Sequence, residues 1–257
     1  MSPTLDHVLA GPPPATIAEV VLRMRAIEGS LEPQDGVAAF NRLYLAVTEA
    51  IAAEAQSFDA PEFIVRLDVR FACLFFDALR DPAELPRAWA PLFEARGRAG
   101  VVALQFALAG MNAHINRDLP VALVETCVER GVELRRGGPE HRDFLRVNAL
   151  LAATEARVKP SLLTGPLGLA DEALGRLDDV LAMWKVERAR DAAWTNAETL
   201  WTLRAAPELA EDFLRTLDRL VGFAGRGLLR PVLLGRPSRV RRAVGTVSRL
   251  WRAFRRA

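Results

Sequence analysis

Apolar residues recur along almost the whole chain every three or four positions, which is the period of an α-helix. No stretch alternates between apolar and polar residues as a half-buried β-strand would. Proline and glycine punctuate the pattern, with Pro61 and Pro120 suited to first turns and Gly131 to a helix end. The predicted helices cover residues 15–30, 35–56, 61–80, 86–96, 99–116, 120–130, 140–159, 168–204, 208–222 and 238–256. We therefore expect an all-α, single-domain bundle of many helices.

The last predicted helix differs from the others in its charge. Residues 219–257 hold eleven arginines and no carboxylate, a charge of +11, which leaves −9 on residues 1–218. Its apolar residues, spaced four, three, four and three apart, are Val240, Val244, Val247, Trp251 and Phe254. A basic amphipathic helix of this kind suits either the acidic body of the same chain or an anionic membrane surface. We favour docking on the body, with the membrane as the alternative and nucleic acid as the least expected partner.

Three regions follow from these patterns: an N-terminal extension, 1–14, an all-helical domain, 15–225, and a basic amphipathic C-terminal segment, 226–257. The longest apolar stretch, Val101–Met111, is much shorter than the ~20 residues that span a bilayer. No secretory signal is visible. We expect a cytoplasmic protein, which could be membrane-peripheral through its tail. Two cysteines and three histidines exclude a disulfide scaffold and a site with many histidine ligands.

Polar side chains interrupt the apolar faces of four predicted helices. In helix 61–80, for example, Asp68 shares a stripe with Ile64 and Phe71. A buried charge without a partner is costly, so such groups should meet one another, water or a ligand. The residues expected to converge on one polar centre are Asp68, Asn112, His114, Asp118, Asn148, Glu155 and Arg190, with Phe71, Phe75, Trp194 and Trp201 as aromatic neighbours.

This centre predicts an enzyme that performs acid–base chemistry on a small, partly apolar molecule. His114 would be the general acid or base, oriented by Asp118 or an asparagine, and Asp68 or Glu155 the second proton-transfer group. Arg190 would bind a substrate anion. The other residues expected to contact substrate are Asn112, Asn148, Trp194 and Phe71. The alternative function is a non-catalytic helical protein, either ligand-binding or membrane-peripheral, with a structural polar core.

Structural interpretations of the same residues stay open at this point. Arg190 could pair with Asp68 or Glu155, His114 could donate to a backbone carbonyl, and Asp118 could cap a helix. The chain has no glycine-rich phosphate loop and no nucleophile elbow, so we expect no cofactor. We also expect no stoichiometric transition metal, although one ion held by His114 and neighbouring carboxylates is an alternative.

One block of the chain resembles the signature of an uncharacterised bacterial family, a domain of unknown function. The block is Asn112-Ala113-His114-Ile115-Asn116-Arg117-Asp118-Leu119-Pro120. Similar blocks are Phe40-Asn41-Arg42-Leu43-Tyr44, Arg66-Leu67-Asp68-Val69-Arg70-Phe71, Phe144-Leu145-Arg146-Val147-Asn148 and Arg188-Ala189-Arg190-Asp191-Ala192-Ala193-Trp194. The resemblance covers about residues 17–225. It implies a fold and the location of a site, and no particular activity.

Overall fold

The computed structural model describes residues 4–81, 84–163 and 186–231, and within them only the backbone of Glu155 and of residues 158–163. All regular elements in these ranges are helical, which confirms the predicted all-α fold. The α-helices are α1 Leu5–Leu9, α2 Ile17–Ser30, α3 Gly36–Glu54, α4 Pro61–Arg80, α5 Ala90–Ala95, α6 Ala103–Ala113, α7 Leu119–Arg130, α8 Pro139–Leu163, α9 Val186–Leu203 and α10 Pro207–Leu228. A 3₁₀ turn, Ala55–Ser57, follows α3, and a π-helical turn, His114–Asp118, joins α6 to α7.

The helix ends agree with the sequence pattern where a proline or a capping residue marks them. Helix α4 begins at Pro61 and ends at Arg80 as predicted, whereas α5 and α6 each begin four residues later than predicted. The short helix α1 lies within the predicted N-terminal extension, and its Leu9 is buried in the core. Residues 168–185 and the predicted helix 238–256 lie outside the described residues. The three-region division of the chain remains a prediction.

Two large apolar clusters and a smaller third one, of Leu43, Leu104, Ala107 and Leu108, form the core of the described residues. One cluster gathers side chains from α2, α3, α4 and α6, among them Met24, Phe40 and Phe75. The other gathers side chains from α4, α7, α8 and α9, among them Leu123 and Phe144. Phe71 of α4 and Met111 of α6 pack against both clusters. The boundary between the clusters is where the polar side chains discussed below are found.

Helices α3 and α6 approach each other closely at Gly110. A Cβ atom at this position would lie 2.4 Å from the ring of Phe40, a distance that side chains do not tolerate. The absent side chain therefore lets Phe40 lie between α3 and α6, with its ring edge-on to His114 at a centroid distance of 5.8 Å.

Helix α10 is fastened to the body by polar side chains at several points. The Asp218 carboxylate accepts the backbone N–H groups of Arg87 and Ala88 at 2.8 and 2.9 Å. From α6, Asn112 donates to the Val221 carbonyl at 2.9 Å, and Gln105 donates to the Leu228 carbonyl at 2.7 Å. None of the helices described is long and apolar enough to cross a membrane.

Candidate functional site

The π-helical turn between α6 and α7 sets the geometry of the site. Pro120 has no N–H, and its ring would clash with the carbonyl four residues earlier in a regular α-helix. The helical turn instead contains one extra residue, and the Leu119 N–H bonds to the His114 carbonyl five residues back. Turns of this type occur frequently at functional sites. Here the turn keeps His114 and Asp118 on one side of a continuous helix, with Nδ1 and Oδ2 2.9 Å apart.

Asp118 is fully buried and its carboxylate is held by side chains around it. Oδ2 lies 2.9 Å from His114 Nδ1 and accepts from Trp89 Nε1 at 2.9 Å, while Oδ1 accepts from Arg117 Nη1 at 2.9 Å. The side chain makes no capping hydrogen bond. Because a carboxylate can only accept, the proton of the neutral imidazole resides on Nδ1, and Nε2 keeps its lone pair. Asp118 therefore fixes both the orientation and the tautomer of His114.

The His114 ring lies among aromatic side chains. It stacks on Phe71 with ring centroids 3.4 Å apart and planes 5° from parallel, and Tyr44 approaches edge-on at 4.6 Å. Burial lowers the pKa of His114 below its ordinary value, although the hydrogen bond to Asp118 raises it in part. Nε2 is buried without a hydrogen-bond partner among the described residues. His114 is thus a neutral imidazole with a free acceptor atom.

A cavity of about 70 Å³ adjoins this ring, at the boundary of the two apolar clusters. Tyr44, Asp68, His114 and Arg190 are its polar wall residues. Its apolar wall residues are Phe40, Leu43, Val47, Ile51, Ile64, Leu67, Phe71, Met111, Ile115, Leu119, Val147 and Leu151. A volume of this size has room for a few water molecules, each of which needs roughly 10–15 Å³. The wall suits a molecule with an apolar body and a polar head.

Among the described residues, three buried polar atoms of the cavity wall have no hydrogen-bond partner: Tyr44 Oη, Asp68 Oδ2 and His114 Nε2. Burial raises the pKa of Asp68 to about 7. Burial, and secondarily the charge of Asp68, raises the pKa of Tyr44 well above its ordinary value. Each unsatisfied buried group costs roughly 1–3 kcal/mol, and native proteins contain few of them. Of the nine such atoms found among the described residues, these three belong to the cavity wall.

Arg190 forms the other end of the polar wall. Its Nε donates to Asn148 Oδ1 and its Nη2 to the Phe144 carbonyl, both at 2.7 Å, and its guanidinium lies 4.0 Å from the Phe144 ring centroid. Asp68 does not pair with it, nor does any other carboxylate whose side chain the structure describes. Burial lowers the pKa of Arg190 to about 9. A pairing with Glu155 lies outside the described side chains.

The structure brings together part of the predicted polar centre. Asp68, Phe71, His114 and Arg190 line the cavity. Asp118 and Asn148 lie behind it, each bonded to one wall residue.

Three residues that were expected to contact substrate do not line the cavity: Asn148, which lies behind it, Asn112 and Trp194. Asn112 faces α10, where it donates to Val221, and it accepts from Asn116 at 3.2 Å. Trp194 is buried in the second apolar cluster, edge-on to His141 at 4.6 Å, with Nε1 bonded to Glu198. The side chain of Glu155 lies outside the described residues.

Tyr44 belongs to the site and did not stand out in the sequence pattern. It is the only tyrosine in the chain and is six per cent exposed. The available signal is the spacing of Asn41, Tyr44 and Thr48, which puts polar atoms on one face of a helix that is apolar almost all round. All three residues are buried.

The described side chains form no cluster suited to a metal ion. In the described parts of the chain, no three side chains of the histidine, cysteine, aspartate or glutamate type converge in a way that could hold a metal ion. His114 Nδ1 is already bonded to Asp118, so the ring has only Nε2 left for any ligand.

Comparison with known proteins places the chain in a family without assigning it a function. The model of a family of unknown function, DUF5995, matches residues 17–231, a range that includes the whole described cavity wall. No curated protein and no solved structure matches the chain significantly. The resemblance noted in the sequence, over about 17–225, is confirmed in its extent and in the absence of a known activity. Because the match spans most of its length, the chain belongs to the DUF5995 family of unknown function.

Proposed function

We propose that the chain is an enzyme that binds a small, partly apolar molecule in the cavity and moves a proton to or from it through His114 Nε2. One observation carries the proposal: Tyr44 Oη, Asp68 Oδ2 and His114 Nε2 are buried, belong to one cavity wall and have no hydrogen-bond partner in the part of the chain that the structure describes. Buried polar side chains with a purely structural role would be expected to form hydrogen bonds with one another.

The environment of each group suits a separate part of such a reaction. His114 is neutral near pH 7 because burial lowers its pKa, so Nε2 can accept a proton, and Asp118 would stabilise the imidazolium that forms. Asp68, whose pKa is raised to about 7, is partly protonated near neutrality and can return a proton. Tyr44 keeps its proton and can donate a hydrogen bond to a substrate oxygen.

The wall composition limits the class of substrate and of reaction. Twelve of the wall residues are apolar, which favours a molecule with a hydrocarbon body. Arg190, oriented by Asn148 and the Phe144 carbonyl, would bind an anionic group such as a carboxylate. No serine, cysteine or lysine lies in the described wall, so the groups present support proton transfer rather than covalent catalysis.

The alternative is a non-catalytic protein that binds the same kind of molecule in the same cavity. The predominance of apolar wall residues favours it as well. The two functions differ in the role of His114. A binding protein needs only the shape and the hydrogen bonding of this side chain, whereas the enzyme needs its basicity.

Nitroethane, a carbon acid small enough for the cavity, tests the basicity of His114 directly, since removal of a single proton lets that position take up deuterium from heavy water. We expect the chain to accelerate this exchange and His114→Asn to lower the rate by about a hundredfold or more. The rate of the unmodified chain should rise with pH as His114 loses its proton, with a midpoint below the ordinary histidine value. His7→Asn, at an exposed histidine, is the matched control.

Two outcomes would count against the enzyme. If His114→Asn exchanged the hydrogen as fast as the unmodified chain, His114 would not be the base. If the unmodified chain gave no acceleration at all, the non-catalytic function would be preferred.

A further inference from the structure

Helix α10 carries an exposed apolar stripe beside the face that packs on the body. Leu209, Leu220 and Phe223 are 56, 63 and 79% exposed. With the half-buried Phe213 and the exposed Thr216 they follow one another at intervals of four, three, four and three residues. Such an alignment places all five positions on one side of a helix, so the stripe is continuous. Contiguous exposed apolar surface of this kind commonly marks an interaction site.

A second stripe with the same spacing occurs near the end of the chain, outside the described residues. Its positions, also four, three, four and three apart, are Val240, Val244, Val247, Trp251 and Phe254. Both stripes span fourteen residue steps, or about 21 Å if helical. Alternating steps of three and four are the pattern by which two helices form a mutual apolar seam. The two stripes therefore match in length and in period.

The connection between the two stripes favours an antiparallel arrangement. Helix α10 ends at Leu228, five residues after the last stripe position, Phe223. The sequence then contains Gly235 and Pro237, residue types that interrupt helices, before Val240. The intervening residues are ample for a reversal, since each can span up to about 3.3 Å. A chain that turns back here sets Val240 against Phe223 and Val244 against Leu220.

The distribution of charge on the tail and on α10 also favours the antiparallel arrangement. Antiparallel docking carries Arg252, Arg255 and Arg256 towards the beginning of α10. That end of the helix carries carboxylates: Glu211 and Asp212 share one cation, Arg215, and their side chains are still 69 and 64% exposed. Around them, residues 1–218 carry a net charge of −9. The basic end of the tail and the acidic end of α10 would thus attract each other.

We propose that residues 240–254 form an amphipathic helix that docks antiparallel on the exposed stripe of α10, in the register that pairs Val244 with Leu220. The inference stands apart from the cavity and from the proposed chemistry, since no residue of the α10 stripe is among the described wall residues.

Disulfide trapping in the full-length chain tests the register. In a background with Cys73 and Cys127 replaced by alanine, the pair Leu220→Cys and Val244→Cys should form an intrachain disulfide under mild oxidation. The control pair, Leu209→Cys with Val244→Cys, should stay reduced. In the proposed register its Cα atoms are about 16 Å apart along the helices, beyond the roughly 7 Å that a disulfide can bridge.

A failure of the first pair to cross-link, or equal cross-linking of both pairs, would overturn the proposed docking. Disulfides between two chains would instead make a second copy the partner of the stripe.

Sedimentation with vesicles of phosphatidylcholine and phosphatidylserine in equal parts gives a further test. The docked tail predicts that the intact chain stays in the supernatant. Sedimentation that added salt reverses would assign the tail to an anionic membrane instead.

Limited digestion with trypsin, which cleaves after arginine, covers the case in which the cysteine variants fold poorly. Phe223→Asp should release the tail and raise the rate of cleavage within residues 239–256 about tenfold, because proteolysis follows the population of the open form. Leu22→Asp, at a leucine of α2 that is 64% exposed, is the matched control and should leave the rate unchanged. An unchanged rate in Phe223→Asp would contradict docking on α10.

Discussion

Asp68→Asn is expected to stabilise the folded chain at pH 8 by up to about 4 kcal/mol, the largest gain from any single substitution in the site. Burial raises the pKa of the Asp68 carboxyl from 3.8 to about 7, so folding at pH 8 requires an ionised group to be buried. Asparagine has nearly the same shape and no charge. The free energy of unfolding, measured in urea for both chains, gives the difference.

The gain should depend on pH in a defined direction. A carboxyl with a raised folded pKa binds its proton in the folded state before the unfolded state does, so the cost of Asp68 disappears as pH falls from about 7 towards about 4. At pH 5 the advantage of asparagine should therefore be under about 2 kcal/mol. Asp77→Asn, at an exposed position of the same helix, should change stability little at either pH. A loss of stability in Asp68→Asn at pH 8 would mean that Asp68 has a structural partner.

Asp118→Ala should have the opposite effect and lower the free energy of unfolding by about 3–5 kcal/mol. The carboxylate is fully buried, and its removal leaves His114 Nδ1, Trp89 Nε1 and Arg117 Nη1 without their acceptor. The same urea titration, at one pH near neutrality, measures the effect. Asp77→Ala is the control for loss of a surface carboxylate. A change below about 1 kcal/mol would show that the hydrogen bonds of Asp118 contribute little.

A gain of stability in Asp68→Asn and a loss in Asp118→Ala would show that the two carboxylates have different roles. Asp118 satisfies its neighbours and holds His114 in one orientation, so the fold depends on it. Asp68 satisfies no donor through Oδ2 and costs stability while it is charged. Proteins commonly retain such a destabilising group at a site where activity needs it.

The fold could be predicted from the sequence because helical periodicity and helix punctuation are local properties. Proline at the first position fixed the beginning of α4, and the apolar period carried the prediction to its end at Arg80. The extension of α10 to Leu228 depends on contacts that no local pattern contains. Asn112 and Gln105 of α6 bond to its carbonyl groups from more than a hundred residues away.

The sequence could predict which side chains of the site are buried, but not which neighbours they contact. Asp68, His114 and Arg190 lie on apolar faces, and all three are buried at the cavity. Periodicity shows that a side chain points inward and does not show which neighbour it meets. Asn112 therefore could not be distinguished from His114, because α6 is apolar almost all round and buries side chains towards both α10 and the cavity.

The π-helical turn is a further feature that local rules could not supply. Pro120 predicted a break after His114, which left the geometry between His114 and Asp118 undetermined. In the structure the Leu119 N–H bonds to the His114 carbonyl, and Trp89 and Arg117 donate hydrogen bonds to the Asp118 carboxylate. Trp89 lies 29 residues earlier and cannot be connected to Asp118 by spacing.

A histidine-detected NMR titration with propionate tests the central claim, that the cavity at His114 binds a small amphipathic anion, most directly. The chain has three histidines, so His7 and His141 report on binding elsewhere. We predict that the ring signals of His114 shift on titration while those of the other two stay in place, and that Arg190→Gln or replacement of propionate by propanol weakens the effect. Unchanged His114 signals, or equal shifts at all three rings, would contradict the account.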